Sequence, residues 1–113
     1  MKRSFQILCL FQLCFSVACF QVRAGNNDAE LKRYNQCMSQ SRTHPENGIE
    51  MARTWLTEGD FSAAKHCLAT GKFFAGAYLA AATIFEKLAI TDDDFTDQLR
   101  SQLFSQAGHA RLL

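Results

Sequence analysis

A chain of 113 residues with a formal net charge of +1 and 48% hydrophobic residues has the material for one small core and no second domain. Setting residues 1–24 aside takes Lys2, Arg3 and Arg23 from the 12 basic residues and leaves nine against 11 acidic ones. The remainder then carries a charge near −2, which argues against nucleic acid as a partner.

Residues 1–24 read as a signal peptide. Lys2 and Arg3 form a positive start, Phe5 to Phe20 is an apolar run broken only by Gln6, Gln12 and Ser16, and Val22-Arg23-Ala24 supplies small or apolar residues for cleavage after Ala24. The apolar run is shorter than the roughly 20 residues a bilayer core requires, so no stable membrane span is expected after cleavage. A retained membrane anchor is the alternative. A lipoprotein acylated at Cys19 is a third reading, with Ser16 standing where an aliphatic residue is usual. Export would place the product in the periplasm or outside the cell. It also removes Cys9, Cys14 and Cys19 and leaves Cys37 and Cys67; an even pair in an exported chain suggests a disulfide.

Residues 25–29 are a polar lead-in in which Asn27 or Asp28 could cap a helix, and 30–113 are the folding part. Leu31, Tyr34, Met38 and Ser41 recur at helical spacing, with Cys37 beside Met38, and predict a first helix ending near Arg42. Pro45 suits the first turn of a second helix, and Glu46 suits its positive end. Ile49, Ala52, Trp55 and Leu56 form its stripe, and Gly59 is expected to end it in a left-handed conformation. Asp60 is expected to cap a third helix with the stripe Phe61, Ala64, Cys67, Leu68 and Gly71, ended by Gly76. A fourth presents Tyr78, Ala81, Ala82, Phe85, Leu88 and Ala89 on one face. Asp92-Asp93-Asp94 reads as a solvated turn and N-cap rather than a metal site, and a fifth helix carries Phe95, Leu99, Leu103, Ala107 and Ala110. No stretch alternates as a half-buried strand would, so the class is all-α.

The helix pairs repeat at an offset of 30. Cys37 matches Cys67, Met38 matches Leu68, Ile49 matches Leu79, Ala52 matches Ala82 and Trp55 matches Phe85. Units of this length bury their apolar faces by stacking, which gives a short α-solenoid of antiparallel helix pairs, about five helices after the signal peptide. Gly76-Ala77-Tyr78, Ala81, Phe85 and Leu88-Ala89 resemble the second half of a tetratricopeptide repeat. Leu68-Ala69 stands where the first helix of such a repeat has its leucine and small residue. The resemblance covers about residues 30–113 and is to a divergent, exported bacterial type: the third helix lacks the Trp and later Tyr of the motif, no Pro follows Ala89, and the period is 30 rather than 34. Gln106 to Leu113 look like the opening helix of a further repeat, and an uncovered solenoid end there would favour self-association.

In stacked first helices, Cys37 and Cys67 stand side by side, and closing their loop would stabilise the fold by roughly 3 to 4 kcal/mol. The alternative is a reactive Cys67 thiol favoured by Lys65 and His66. His44, His66 and His109 lie in separate elements without ligand spacing, so no metal is expected. No nucleophile elbow, phosphate loop or haem-attachment motif is present, so no catalytic residue and no cofactor is assigned. The tetratricopeptide resemblance implies that His66, Thr70 and Phe73 point to the concave face, where a peptide of another protein would lie. Phe73-Phe74 could equally cover the end of the core. The function expected is a non-enzymatic protein–protein interaction module outside the cytoplasm. A small disulfide-stabilised secreted effector or inhibitor is the alternative, and a remnant without selected activity is a third reading.

Overall fold

The computed structural model describes residues 28–113, which form helices and turns without a strand. The signal peptide and its cleavage site lie outside the described residues; residues 28 and 29, assigned to the polar lead-in, are already helical. Five helices follow one another: α1 (28–43), α2 (Pro45–Leu56), α3 (Ser62–Phe74), α4 (Tyr78–Thr91) and α5 (Asp97–Arg111). By its contacts the chain divides into two units, Met1–Arg33 and Tyr34–Leu113. Of the first, only helical residues 28–33 are described, and Leu31 of the predicted stripe is exposed there. The second is a short α-solenoid in which α2 packs on α3, α3 on α4 and α4 on α5. Among the described residues no helix is long and apolar enough to cross a membrane.

Two buried clusters hold the second unit together. Cys37, Met38, Ala52 and Cys67 form one, flanked by Tyr34, Met51 and Leu68. The other gathers Phe85, Leu88 and Leu103 with alanines of α3, α4 and α5, flanked by Phe73, Ile84, Phe95 and Leu99. Burying each large apolar side chain contributes about 1.5 to 3 kcal/mol, and the alanines let the helices approach closely enough to enclose them. The 30-residue offset is structural at three pairs: Cys37 and Cys67, Ala52 and Ala82, and Trp55 and Phe85 are all buried. It weakens at Met38, buried where Leu68 is only half-buried, and fails at Ile49, buried where Leu79 is 67% exposed. Ile49 is covered by Gly71 on α3, whereas the matching place on α5, Ser101, is exposed and leaves Leu79 uncovered.

Cys37 and Cys67 form a disulfide, with Cα atoms 6.0 Å apart, that ties α1 to α3. Ser41, one turn beyond Cys37, is fully buried between α1, α2 and α3. Its hydroxyl donates to the Cys67 carbonyl at 3.1 Å. Gly48 and Gly71 make room for it: a Cβ at Gly71 would come 2.8 Å from Ile49 Cγ1 and 3.2 Å from Ser41 Oγ.

The helix ends depart from expectation in several places. Gly59 does not end α2 in a left-handed conformation, because among the described residues Gly76 alone has positive φ. The helix stops at Leu56 as Thr57 and Glu58 bond back to Arg53, Thr54 and Trp55. The absent side chain at Gly59 instead admits the Phe61 ring, which a Cβ there would meet at 2.9 Å. Phe61, not Asp60, is the N-cap of α3. It is exposed at the helix entrance and tilts against Trp55, 6.0 Å between centroids, while Asp60 pairs with Lys65 at 2.6 Å. Gly76 does end α3, at φ 84°, with Ala77 N–H donating to Lys72 O and Gly76 N–H to Phe73 O, the paired bonds of a Schellman turn. At α5 the cap is Thr96, whose hydroxyl accepts from Leu99 N–H. Asp92 stays in the turn, accepting from Ser62 and from Asp94 N–H, and Phe95 precedes the helix while packing on the core. The predicted opening of a further repeat is the uninterrupted end of α5.

Candidate functional site

Three alternate helices, α1, α3 and α5, open between them a cleft of about 230 Å³. Met38 and Arg42 come from α1, Thr70, Phe73 and Phe74 from α3, Phe85 from α4, and Gln106 and His109 from α5. A neighbouring cleft of about 290 Å³ shares Met38 and Arg42 and continues along α1 past Tyr34 and Ser39. Neither is lined by Asp or Glu.

Of the three residues assigned to a binding face, Thr70 and Phe73 line the cleft, and His66 stands behind it. Thr70 turns its hydroxyl back to the His66 carbonyl at 2.9 Å, so it presents mainly its methyl group. Phe73 meets Phe74 edge-on, Tyr78 edge-on and His109 in a tilted pair, with centroids 5.4 to 5.6 Å apart. Phe73 is half-buried against the core, and Phe74 is 50% exposed at the rim. The two rings therefore divide the roles left open for them, one closing the core and the other facing solvent.

His66 joins three helices. Its Nε2 lies 3.1 Å from Gln106 Oε1 on α5, and its Nδ1 lies 2.7 Å from the Tyr34 hydroxyl on α1. An amide oxygen only accepts, so Nε2 carries the proton, and in a neutral ring Nδ1 then accepts from Tyr34 O–H. The ring stacks on Tyr34 at 6.0 Å and meets the edge of Phe85 at 5.8 Å. Burial lowers the His66 pKa below 6.5, the Gln106 bond opposes that shift, and the Arg42 cation adds to it. Burial also raises the Tyr34 phenol above 10.0, with Arg42 opposing. Both imidazole nitrogens are thus engaged in holding α1, α3 and α5 around the cleft, and Gln106 is oriented by the same bond.

Sequence reasoning misses Arg42, Gln106 and His109 as cleft residues, although the first-helix argument that selects His66, Thr70 and Phe73 applies equally to α1 and α5. The 30-residue offset also pairs Arg42 with Lys72. The Cys67 sulfur is bonded to Cys37, so in this state it is not a thiol. Among the described residues no group of three or more His, Cys, Asp or Glu is placed to hold a metal ion. Tyr78, Leu79, Ala110 and Leu113 border a further depression of about 600 Å³. No protein-family model, no curated protein and no solved structure matches this chain.

Proposed function

We propose that this protein is a non-enzymatic, tetratricopeptide-like binding module of an extracytoplasmic compartment, which holds a peptide segment of another protein between α1, α3 and α5. The observation that carries this reading is the cleft, where successive first helices converge and Thr70 and Phe73 stand beside the half-exposed Phe74. Aromatic rings held on a rigid helix make good anchors for a peptide side chain. The buried Cys37–Cys67 disulfide supports a periplasmic or secreted location, since structural disulfides persist in oxidising compartments.

Selection of random displayed peptides on the oxidised protein tests the reading. Enriched peptides are expected, and Phe74→Ser should abolish their binding without unfolding the chain. Failure to enrich any sequence, or enrichment of peptides indifferent to Phe74→Ser, would overturn it. The compartment is checked separately by intact mass after export: a species of residues 25–113 less two hydrogens is expected, and a full-length species with free thiols contradicts it. Exposed Leu79, Leu112 and Leu113 support self-association through the end of α5, to be read as a concentration-dependent sedimentation coefficient that Leu112→Glu removes.

A further inference from the structure

Charge in the second unit is sorted by helix. Residues 34–43 of α1 and all of α3 contain Arg42, Lys65, His66 and Lys72 and no acid; beyond Asp97 in its first turn, α5 contains Arg100, His109 and Arg111 and no acid. The carboxylates fall on α2 and α4, as Glu46, Glu50 and Glu86, and in the turns, as Glu58, Asp60 and Asp92 to Asp94. The helices that open the cleft are therefore the basic ones.

Most of these cations are already engaged. Lys65 pairs with Asp60, Arg111 grips Glu86 through two nitrogens at 2.5 and 2.6 Å, and Arg100 donates to carbonyls at the end of α4. Arg42 is different. It is exposed, it lines both clefts, and no carboxylate is paired with it among the described residues. Across the cleft, Gln106 uses its amide oxygen on His66, which leaves its NH₂ donors for a ligand. The polar groups offered to an occupant thus include a guanidinium and an amide NH₂, donors set beside the rings of Phe73 and Phe74, with the His109 imidazole at the same cleft.

We propose that the cleft takes an acidic, extended peptide segment of a partner protein, with one carboxylate on Arg42 and a neighbouring apolar side chain against Phe74. The proposal rests on the peptide-holding reading above and adds the chemistry of the ligand. A guanidinium forks onto a carboxylate with two parallel bonds, and complementary charge selects the partner as well as binding it. The cleft, about 230 Å³ in volume, admits only a few side chains, which favours a short acidic segment over nucleic acid or an anionic membrane.

The test is fluorescence anisotropy on the oxidised full-length protein, using a labelled peptide of alternating Glu and Leu and counterparts with Gln or Lys in place of Glu. The Glu peptide should bind and weaken as salt rises. Arg42→Glu should weaken it about tenfold, while Lys87→Glu, the same charge change on α4, should stay within about twofold. Equal binding of the Gln peptide, or equal effects of the two variants, overturns the acidic ligand. Tighter, Arg42-dependent binding of a single-stranded oligonucleotide or of vesicles with an anionic lipid also overturns it. If none of the three peptides binds while displayed peptides do, this proposal fails and the peptide-holding reading stands; if displayed peptides fail as well, both fall.

Discussion

The backbone of Ser41 on α1 lies so close to Gly48 on α2 that a Cβ on residue 48 would come 2.5 Å from the Ser41 nitrogen. The neighbour there is backbone, in the same crossing that buries the Ser41 hydroxyl against Cys67. It cannot swing aside as a flexible side chain would. Gly48→Ala must therefore separate α1 from α2 and should cost about 1 to 3 kcal/mol or more, read as a lower urea midpoint with the disulfide intact. An unchanged midpoint would mean that the two helices are not held at this distance.

Gly108 gives the opposite expectation. It lies within α5, and a Cβ there would meet nothing within 4 Å. Gly108→Ala should stabilise the protein by about 0.5 to 1 kcal/mol through helix propensity and lower unfolded-state entropy. A thermal melt showing a lower midpoint would indicate that this face of α5 is covered in solution.

The number of helices, most of their stripes and the disulfide could be read from the sequence, because they follow from local spacing and from matched positions one repeat apart. Helix entrances were less legible. Asp60 has the side chain of a cap, but its carboxylate is drawn to Lys65 and Phe61 takes the position. Gly59 looked like a left-handed stop and serves instead as clearance for an aromatic ring. Leu79 shows the limit of repeat logic: its partner Ile49 is buried only because the next helix lies over it, a property of the neighbour and not of the residue. At the cleft, Thr70 and Phe73 could be found because α3 matches the repeat. The same first-helix argument reaches Arg42 on α1 and Gln106 on α5, but their meeting at one cleft depends on how those helices lean toward α3, which no local pattern encodes.

Loss of the Cys37–Cys67 bond is expected to be costly. It joins α1 to α3 across a separation of 30 residues, and removing it frees the unfolded chain by roughly 3 to 4 kcal/mol. A domain this small has little reserve. The double variant Cys37→Ala, Cys67→Ala should show a strongly reduced melting temperature or fail to fold at 37 °C, and reductant should shift the natural protein likewise. Indifference of the melting temperature to reductant would remove the bond from the account of stability.

Arg100 replaces a conventional helix stop at the end of α4. One guanidinium nitrogen donates to Ala89 O at 2.7 Å and another to Asp92 O at 2.8 Å, satisfying carbonyls that the helix leaves open. Arg100→Ala should cost about 1.5 to 3 kcal/mol, as expected for hydrogen bonds from a charged donor. Arg100→Lys should recover only part of it, because a single ammonium cannot span both carbonyls in the planar fork. Hydrogen exchange offers the sharper measurement, with loss of protection expected at the α4–α5 turn. Full rescue by lysine would reduce the role to charge alone.

The Tyr34–His66–Gln106 chain makes stability depend on pH in a defined direction. His66 is neutral in the fold, with Nε2 donating to Gln106 and Nδ1 accepting from Tyr34, and burial keeps its pKa below 6.5. The unfolded chain therefore binds a proton at this residue more readily than the folded one. Its contribution to stability is complete above the ordinary value near 6.5 and is lost as pH falls through that value toward the lower folded one. Glu86, held below 4.5 by Arg111, loses its contribution only in more acid solution, which leaves the interval from 4.5 to 6.5 for reading His66. Melting temperature should fall across that interval. In His66→Gln, which keeps an amide near Gln106 and Tyr34 but cannot titrate, the protein should be less stable at neutral pH and its acid slope flatter. An acid slope identical in the two proteins would show that His66 is not the group being protonated.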